Sequence, residues 1–364
     1  MPNKSLTVKV PGKLMVAGEF AVLEPYQKLI VMAVDRFVYA TIEDSDENLL
    51  TLENFGLHHL RWRIENNGVH IDSKDRRVNF VEQAISVVSV YLREQSVPMP
   101  PFSLKINSEL DSEGVKYGLG SSAAVVTAVV TAILKKHLVD PPPAELIFKL
   151  AAISHVKTQG NGSGADIAAS TYGGFLQYSS FQADWLLDEL SRTRRLTTLV
   201  KKDWKYLTIK KVEFPRNLSI CVGWTGQPAS TAKLVDEILV LKKEKPTQFQ
   251  QFLMDSQQAV DEILHGVTNR SHLELLEGIR KNRHCLATIG EIAGVEIETD
   301  LLAELAELAE RFDGAGKLSG AGGGDCGIAF IPSAEKSIQL LKTWESAGIQ
   351  PLSIQPYLKG AHLI

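Results

Sequence analysis

The sequence predicts a two-domain protein built from both helices and strands, and three observations carry that expectation. The chain has 364 residues, more than a single domain of roughly 100–200 residues accommodates. Runs rich in β-branched and aromatic residues interleave with segments of helical apolar spacing, the signature of a mixed fold. Hydrophobic residues make up 44% and charged residues 23%, a globular balance that excludes disorder, collagen and an integral membrane protein.

The elements follow in chain order. Residues 6–10 and 29–42 read as strands, being short runs of Val, Ile, Phe and Tyr. Residues 43–53 are mostly acidic and polar and read as a turn. Residues 78–95 have helical apolar spacing, and 102–106 alternate like a strand. Residues 123–137 read as an apolar helix, closed off by Asp140 and the prolines at 141–143. A second helix starts at Ala144 and leads into a glycine-rich stretch at 160–174. The basic, Trp-containing segment 181–211 reads as a solvated helix and linker face rather than a binding patch. Beyond it, 218–224 reads as a buried strand, followed by amphipathic helices at 231–243, 252–265, 272–292 and 299–312. Residues 326–331 read as a strand, with a last helix and strand after them, and the domain boundary is expected near 180–215. No internal repeat is found, which excludes a solenoid or propeller.

Composition also bounds the partners. Lys and Arg number 39 against 43 Asp and Glu, a net charge of −4, so no nucleic-acid partner is expected. The longest small-apolar stretch, 123–134, is interrupted by Thr127 and Thr131 and falls short of the ~20 residues that span a bilayer. No membrane partner is expected either. Residues 1–10 lack the apolar core of a signal peptide. Cys221, Cys285 and Cys326 are far apart, odd in number and without a C-x-x-C pair, so neither a disulfide framework nor a zinc site is expected and the compartment expected is the cytoplasm.

Glycine placement is more informative than glycine number. At 11–26 (PGKLMVAGEFAVLEPY) a strand meets Pro11 and Gly12, and Lys13 follows beside backbone that Gly12 and Gly18 leave uncrowded. A lysine so held is a point charge for phosphate; a hairpin turn with a solvent-exposed lysine fits the same residues. At 117–130 (YGLGSSAAVVTAVV), Gly118 and Gly120 open conformations closed to other residues. Ser121 and Ser122 are placed to cap the helix that begins there, and Ala123 and Ala124 keep its first turn slim. Such a helix start offers unpaired amides and the positive end of a dipole to an anion, with Lys116 adding charge; a plain serine-capped turn is the other reading. The formal G-x-G-x-x-A match to a dinucleotide fingerprint fails on context, because the mostly polar residues 107–116 separate it from the preceding strand. No Walker A string occurs.

At 159–174 (QGNGSGADIAASTYGG), Asp166 is the only acidic residue between Glu145 and Asp184. It fits a helix N-cap or first-turn carboxylate, or a group that accepts a proton or neutralises a lysine. At 314–327 (GAGKLSGAGGGDCG), seven glycines fill 14 residues between a helix and a strand. A loop so bare inside a domain favours close backbone approach to a ligand or another loop over a flexible linker.

Taken in order, PGKLMVAGEFAVL at 11–23, GLGSSAA at 118–124 and KLSGAGGGDCG at 317–327 resemble the three signatures of the GHMP kinase superfamily. Within it the chain is most similar to the phosphomevalonate kinase family, through HVKTQGNGSGADIAASTYGG at 155–174, GWTGQPASTAKLV at 223–235 and SGAGGGDCGIA at 319–329. The resemblance implies a two-domain α+β fold: an ATP-binding domain at 1–200 like domain 2 of ribosomal protein S5, and a ferredoxin-like domain at 201–364. It implies transfer of a phosphoryl group from ATP, with Mg²⁺, to (R)-5-phosphomevalonate in isoprenoid biosynthesis. Mevalonate kinase or another small-molecule GHMP kinase is the alternative. It implies ATP phosphates on Lys116, Gly118, Leu119, Gly120, Ser121, Ser122 and Ala123, with the Ser122 hydroxyl reaching Mg²⁺. Lys13 and Asp166 take the catalytic positions. Lys116, Lys157, Ser163, Ser230, Ser319, Gly320 and Ala321, with Thr231 and Lys233, are the expected acceptor contacts. Where mevalonate kinases carry a metal-binding glutamate, this chain has His155. Both a monomer and a homodimer are compatible with the sequence.

Overall fold

The β-branched runs near the N-terminus form the two longest strands, Leu6–Ala17 and Leu29–Asp44. They are antiparallel, from Leu6 opposite Ile42 to Ala17 opposite Ile30. The computed structural model describes residues 5–65, 68–112, 115–226 and 231–364, with the backbone alone at 112, 115–116 and 231–233. Pro11 does not end the first strand. A register shift between Pro11 and Gly12 accommodates its missing N–H donor, so the strand runs on where a turn was one of the two expectations.

Residues 29–32 of the second strand pair with Phe175–Ser179, and residues 38–44 pair with Phe102–Ser108. Among the described residues the resulting sheet has nine strands. It runs Thr208–Val212, Phe175–Ser179, Leu29–Asp44, Phe102–Ser108, Leu49–Leu52, Leu57–Glu65, Gly68–Ile71, and Leu6–Ala17 with His362–Leu363 completes it. Leu49–Leu52 lies in the stretch expected as a turn; its leucines are drawn into the sheet beside Phe102–Ser108, with Leu50 fully buried. Helices Asn79–Glu94, Ser121–His137, Ala144–Gln159 and Ala165–Tyr172 pack with this sheet around the main core. Helix Ser121–His137 is buried on nearly every side from Ala123 to Leu134, as its apolar sequence requires.

The chain leaves the large sheet at Val212 and enters a second sheet at Ser219. That sheet is antiparallel, in the order Ala315–Leu318, Cys326–Ile331, Ser219–Trp224, Gln350–Leu352. Helices Thr231–Glu244, Pro246–Asn269, His272–Ala293, Asp300–Arg311 and Ala334–Ser346 accompany it. Ser271, Thr299 and Ser333 cap three of these helices through their hydroxyl oxygens, which satisfies a first-turn N–H in each. Segregated helices and mostly antiparallel sheets make the architecture α+β.

The basic segment at 181–211 resolves into helices Ala183–Arg192 and Leu196–Lys201 and part of the strand Thr208–Val212. Two of its cations, Arg192 and Lys202, pair with Asp188 and Glu189 at 2.8 Å each. Among the described residues no helix is long and apolar enough to cross a membrane.

Candidate active site

Lys13 sits mid-strand opposite Ala33 and is only 9% exposed. Its backbone N–H donates to the Leu119 carbonyl at 2.9 Å, and its Nζ donates to the Gly118 carbonyl at 2.7 Å. One residue thus stitches the strand to the glycine turn twice, which overturns the reading of an exposed hairpin lysine. Gly12 permits the approach, since a Cβ there would lie 2.8 Å from the Leu119 oxygen. Burial pulls the Lys13 pKa below its usual value, while the charges of Asp166, Asp325 and Glu19 push it back up.

The turn leads directly into helix Ser121–His137. Gly120 is its N-cap, in the left-handed region at φ 78°, and no side chain caps it. The serines expected as caps bond elsewhere. Ser121 Oγ donates to Asp111 Oδ2 at 2.8 Å, and Ser122 Oγ lies 3.2 Å from His155 Nε2. The Ala124 N–H bonds the Gly120 carbonyl, so the amides of Ser121, Ser122 and Ala123 precede the helical ladder. A helix dipole adds ~0.3–2 kcal/mol to an anion held there. A Cβ on Gly120 would lie 2.9 Å from Lys13 Cγ and 3.5 Å from Asp166 Cβ. Turn, lysine and aspartate therefore meet at this glycine.

Asp166 stands in the first turn of helix Ala165–Tyr172, with Gly164 rather than the aspartate as N-cap, and its Oδ1 accepts the Ile167 N–H at 2.9 Å. Just upstream, Ser163 Oγ accepts the Ala165 N–H at 3.3 Å. His155 is buried and stacks on Phe80 with ring centroids 5.1 Å apart. Burial lowers its pKa, with the Asp166 charge opposing. The second sheet brings loop 319–325 to the same place. Ser319 Oγ accepts the Met15 N–H and donates to the Met15 carbonyl, both at 2.9 Å. Asp325 packs so closely over Gly118 that a Cβ there would lie 2.8 Å from its Oδ2. Cys326 Sγ lies 3.2 Å from the Tyr117 carbonyl oxygen.

Lys13, the turn at 118–122, His155, Asp166, Ser319 and Asp325 line one cleft of about 1530 Å³. That exceeds the ~300–1,000 Å³ of a single-ligand pocket, so there is room for a donor and an acceptor together. Of the expected residues, Lys13, Gly118, Leu119, Gly120, Ser121, Ser122, Ser163, Asp166, Ser319, Gly320 and Ala321 line it. Ala123 is buried behind the first helical turn. Lys157 is exposed on helix Ala144–Gln159 and is not among the lining residues. Ser230, and the side chains of Lys116, Thr231 and Lys233, lie outside the described residues.

Models of the GHMP kinases N terminal domain and of the GHMP kinases C terminal match residues 79–174 and 259–350, together more than half of the chain. The chain belongs to the GHMP kinase family. This GHMP kinase is 33% identical to the phosphomevalonate kinase of Streptomyces sp. (strain CL190), over 98% of its own length and 99% of that protein. It is 38% identical to the Lin0012 protein of Listeria innocua, with a TM-score of 0.92 and 99% of each chain covered. The solved Streptococcus pneumoniae phosphomevalonate kinase in complex with phosphomevalonate and AMPPNP is 28% identical, with a TM-score of 0.83, covering 96% of this chain and 99% of that one. The two-domain α+β GHMP kinase fold expected from the sequence is borne out.

Several cleft residues of this GHMP kinase escaped the sequence reading. Arg76 and Arg77 reach the cleft from the 3-10 turn Arg76–Val78, and Lys242 and Lys243 from helix Thr231–Glu244. Arg77 pairs with Asp75 and lies over the Phe55 ring, 4.3 Å from its centroid. Glu19 and Asp111 also line the cleft. A signal for Glu19 was present, because it lies inside the first family signature, but nothing local points Arg76 or Asp111 inward.

Proposed function

We propose that this GHMP kinase transfers the γ-phosphoryl group of ATP to the phosphate of (R)-5-phosphomevalonate, giving 5-diphosphomevalonate and ADP. The observation that carries this reading is the whole-length likeness to the Streptomyces phosphomevalonate kinase. Phosphoryl transfer is mainly positioning and electrostatic stabilisation, because charge spreads over the equatorial oxygens of a loose transition state. The amides of residues 118–123 receive the donor phosphates at the helix start. Lys13, fixed at two points to that turn, offsets charge where donor and acceptor phosphates approach. A phosphate acceptor has its second pKa near ~6 and is largely deprotonated at neutral pH, so no general base is required. Asp166, beside Gly120, orients Lys13 and the acceptor. Ser163, Gly320 and Ala321, with Lys116 and Ser230, contact the acceptor, and Ser319 holds their loop in place.

Mg²⁺ fits this donor set in one way. Among the described residues no group of three or more His, Cys, Asp or Glu side chains gathers into a metal cage. An ion held largely by nucleotide oxygens and water needs only one or two protein oxygens, and Ser122 Oγ, at the helix start on the cleft lining, would supply one. When bound, it neutralises charge on the transferring phosphates.

A coupled ADP-release assay with phosphomevalonate, mevalonate and homoserine tests the reading. Turnover with phosphomevalonate is expected, and ADP release with mevalonate but not with phosphomevalonate would sink it.

A further inference from the structure

Lys317 lies in the strand Ala315–Leu318 with no exposure at all, a lysine where the sequence alone puts a loop. Its Nζ pairs with Glu19 Oε1 at 2.5 Å, and Glu19 is 3% exposed. The two residues belong to different sheets' territory: Glu19 follows the strand that carries Lys13, and Lys317 precedes the loop 319–325. The Gly320 N–H approaches the same Glu19 oxygen at 3.5 Å. One residue earlier, Ser319 grips both backbone groups of Met15. Glu19 and Gly320 both line the cleft. Gly320 has φ 104°, and a Cβ there would meet nothing within 4 Å, so its backbone faces open space.

We infer that the buried ion pair between Glu19 and Lys317 is a positioning device that sets residues 319–321 against the Lys13 strand, and so fixes the acceptor-side geometry of the cleft.

Stability alone is a poor reason for the pair. Desolvating two charges offsets most of their attraction, and an apolar pair of similar volume is often as stable or more so. Here the balance is worse, because Glu19 Oε2 is buried with no hydrogen-bond partner among the described residues, and an unsatisfied buried acceptor is costly. What the charges supply, and an apolar pair cannot, is direction: Glu19 Oε1 fixes both the Lys317 ammonium and the Gly320 amide at once. Glu19 and Lys317 are therefore positioning residues that act through the loop.

The inference rests on the proposed phosphomevalonate reaction, and one set of assays separates the two. The wild-type enzyme, Glu19→Gln, Glu19→Asp and the double variant Glu19→Leu/Lys317→Met are compared by thermal melting and by KM for phosphomevalonate and for ATP. Glu19→Gln removes the charge that faces the Lys317 ammonium, leaving it the Leu318 carbonyl and the Glu298 charge, and is expected to melt lower. The double variant removes both charges and is expected to recover the melting temperature. Its KM for phosphomevalonate is expected to rise about tenfold to hundredfold, the scale of a ~1 Å misplacement, with the KM for ATP little changed. Glu19→Asp keeps both charges but is one methylene shorter; it is expected to fold and to show the same split. A stable double variant, or Glu19→Asp, with wild-type KM for phosphomevalonate overturns the inference and leaves the reaction standing. A wild-type enzyme inactive on phosphomevalonate overturns both.

Discussion

Two glycine-rich loops face one cleft, and they use their glycines for different physical ends. The turn at 118–120 runs into a 17-residue helix, so its glycines expose a row of amides backed by a dipole. The loop at 319–325 joins two antiparallel strands, with no dipole behind it, and its backbone is anchored at several points. The Ser319 N–H donates to the Cys326 carbonyl at 2.9 Å and the Gly323 N–H to the Ile297 carbonyl at 2.7 Å. A Cβ on Gly322 would lie 2.2 Å from the Ile297 oxygen, so this glycine is needed for packing against its own domain. The first loop is built to hold charge and the second to hold shape. Glycine content alone does not distinguish them; the element that follows each loop does.

The largest expected effects break the charge-holding side. Lys13→Met removes a cation fixed to the 118–120 turn and, if that turn holds the donor phosphates as proposed, should lower kcat by about 10²–10³, comparable to losing a preorganised electrostatic donor. Its melting temperature should change little, because removing a buried charge offsets the loss of the Nζ bond to the Gly118 carbonyl. Single-turnover rates beside thermal melts check the split, and near-normal kcat would place the stabilising charge elsewhere. Gly120→Ala follows. Its φ of 78° costs an L-residue about 1–2 kcal/mol, and the new methyl would press on Lys13 Cγ at 2.9 Å. A fall in kcat/KM for ATP of about 10² is expected from such a displacement, read in the ADP-release assay.

The same contrast explains what the sequence made legible. The long strands, the apolar helix at 121–137 and the amphipathic helices of the second domain are local patterns, readable from period and composition. The 118–120 turn and the helix start after it were readable too, because glycines before a slim first turn are a local signature of both. Partners distant in sequence were not. Ser121 and Ser122 look like caps until Asp111 and His155 arrive from other elements. Lys157 fits a ligand or a surface residue by sequence, and its place on helix Ala144–Gln159 leaves it exposed and off the cleft lining. Lys317 was hidden twice, by glycines that masked a strand and by a charge that argues for the surface. The strand Leu57–Glu65, with exposed His58, His59 and Arg63, carries too little buried apolar alternation to be read as one.

On the shape-holding side the effects should be smaller and should fall on the acceptor. Gly322→Ala meets backbone, whereas Gly320→Ala meets open space. The first should lower the melting temperature and raise the KM for phosphomevalonate about tenfold, by moving the loop. The second bears only the left-handed backbone cost of about 1–2 kcal/mol. Equal effects from the two would mean that contact with Ile297 is not what fixes the loop. Asp166→Asn keeps the shape and removes the charge beside Lys13; with an acceptor already ionised, kcat should fall about tenfold, well short of the ~10²–10⁴ of a lost general base. A pH–rate profile of the same shape in the variant as in the wild type would support an orienting role over proton abstraction.

The smallest effect tests the seam between the loops most directly. Ser319 both accepts the Met15 N–H and donates to the Met15 carbonyl at 2.9 Å, two residues along the strand from Lys13. Ser319→Ala leaves both backbone groups without that partner, a cost of about 1–3 kcal/mol. If the hydroxyl acts as a brace, the variant should melt lower and lose a few-fold in affinity for phosphomevalonate. Its kcat at saturation should be unchanged, since the 118–120 turn and Lys13 keep their own bonds. Were Ser319 instead to contact the reacting phosphates, kcat would fall while melting stayed the same. Melting temperature and kcat therefore move in opposite patterns under the two roles, and one variant decides which of them Ser319 plays.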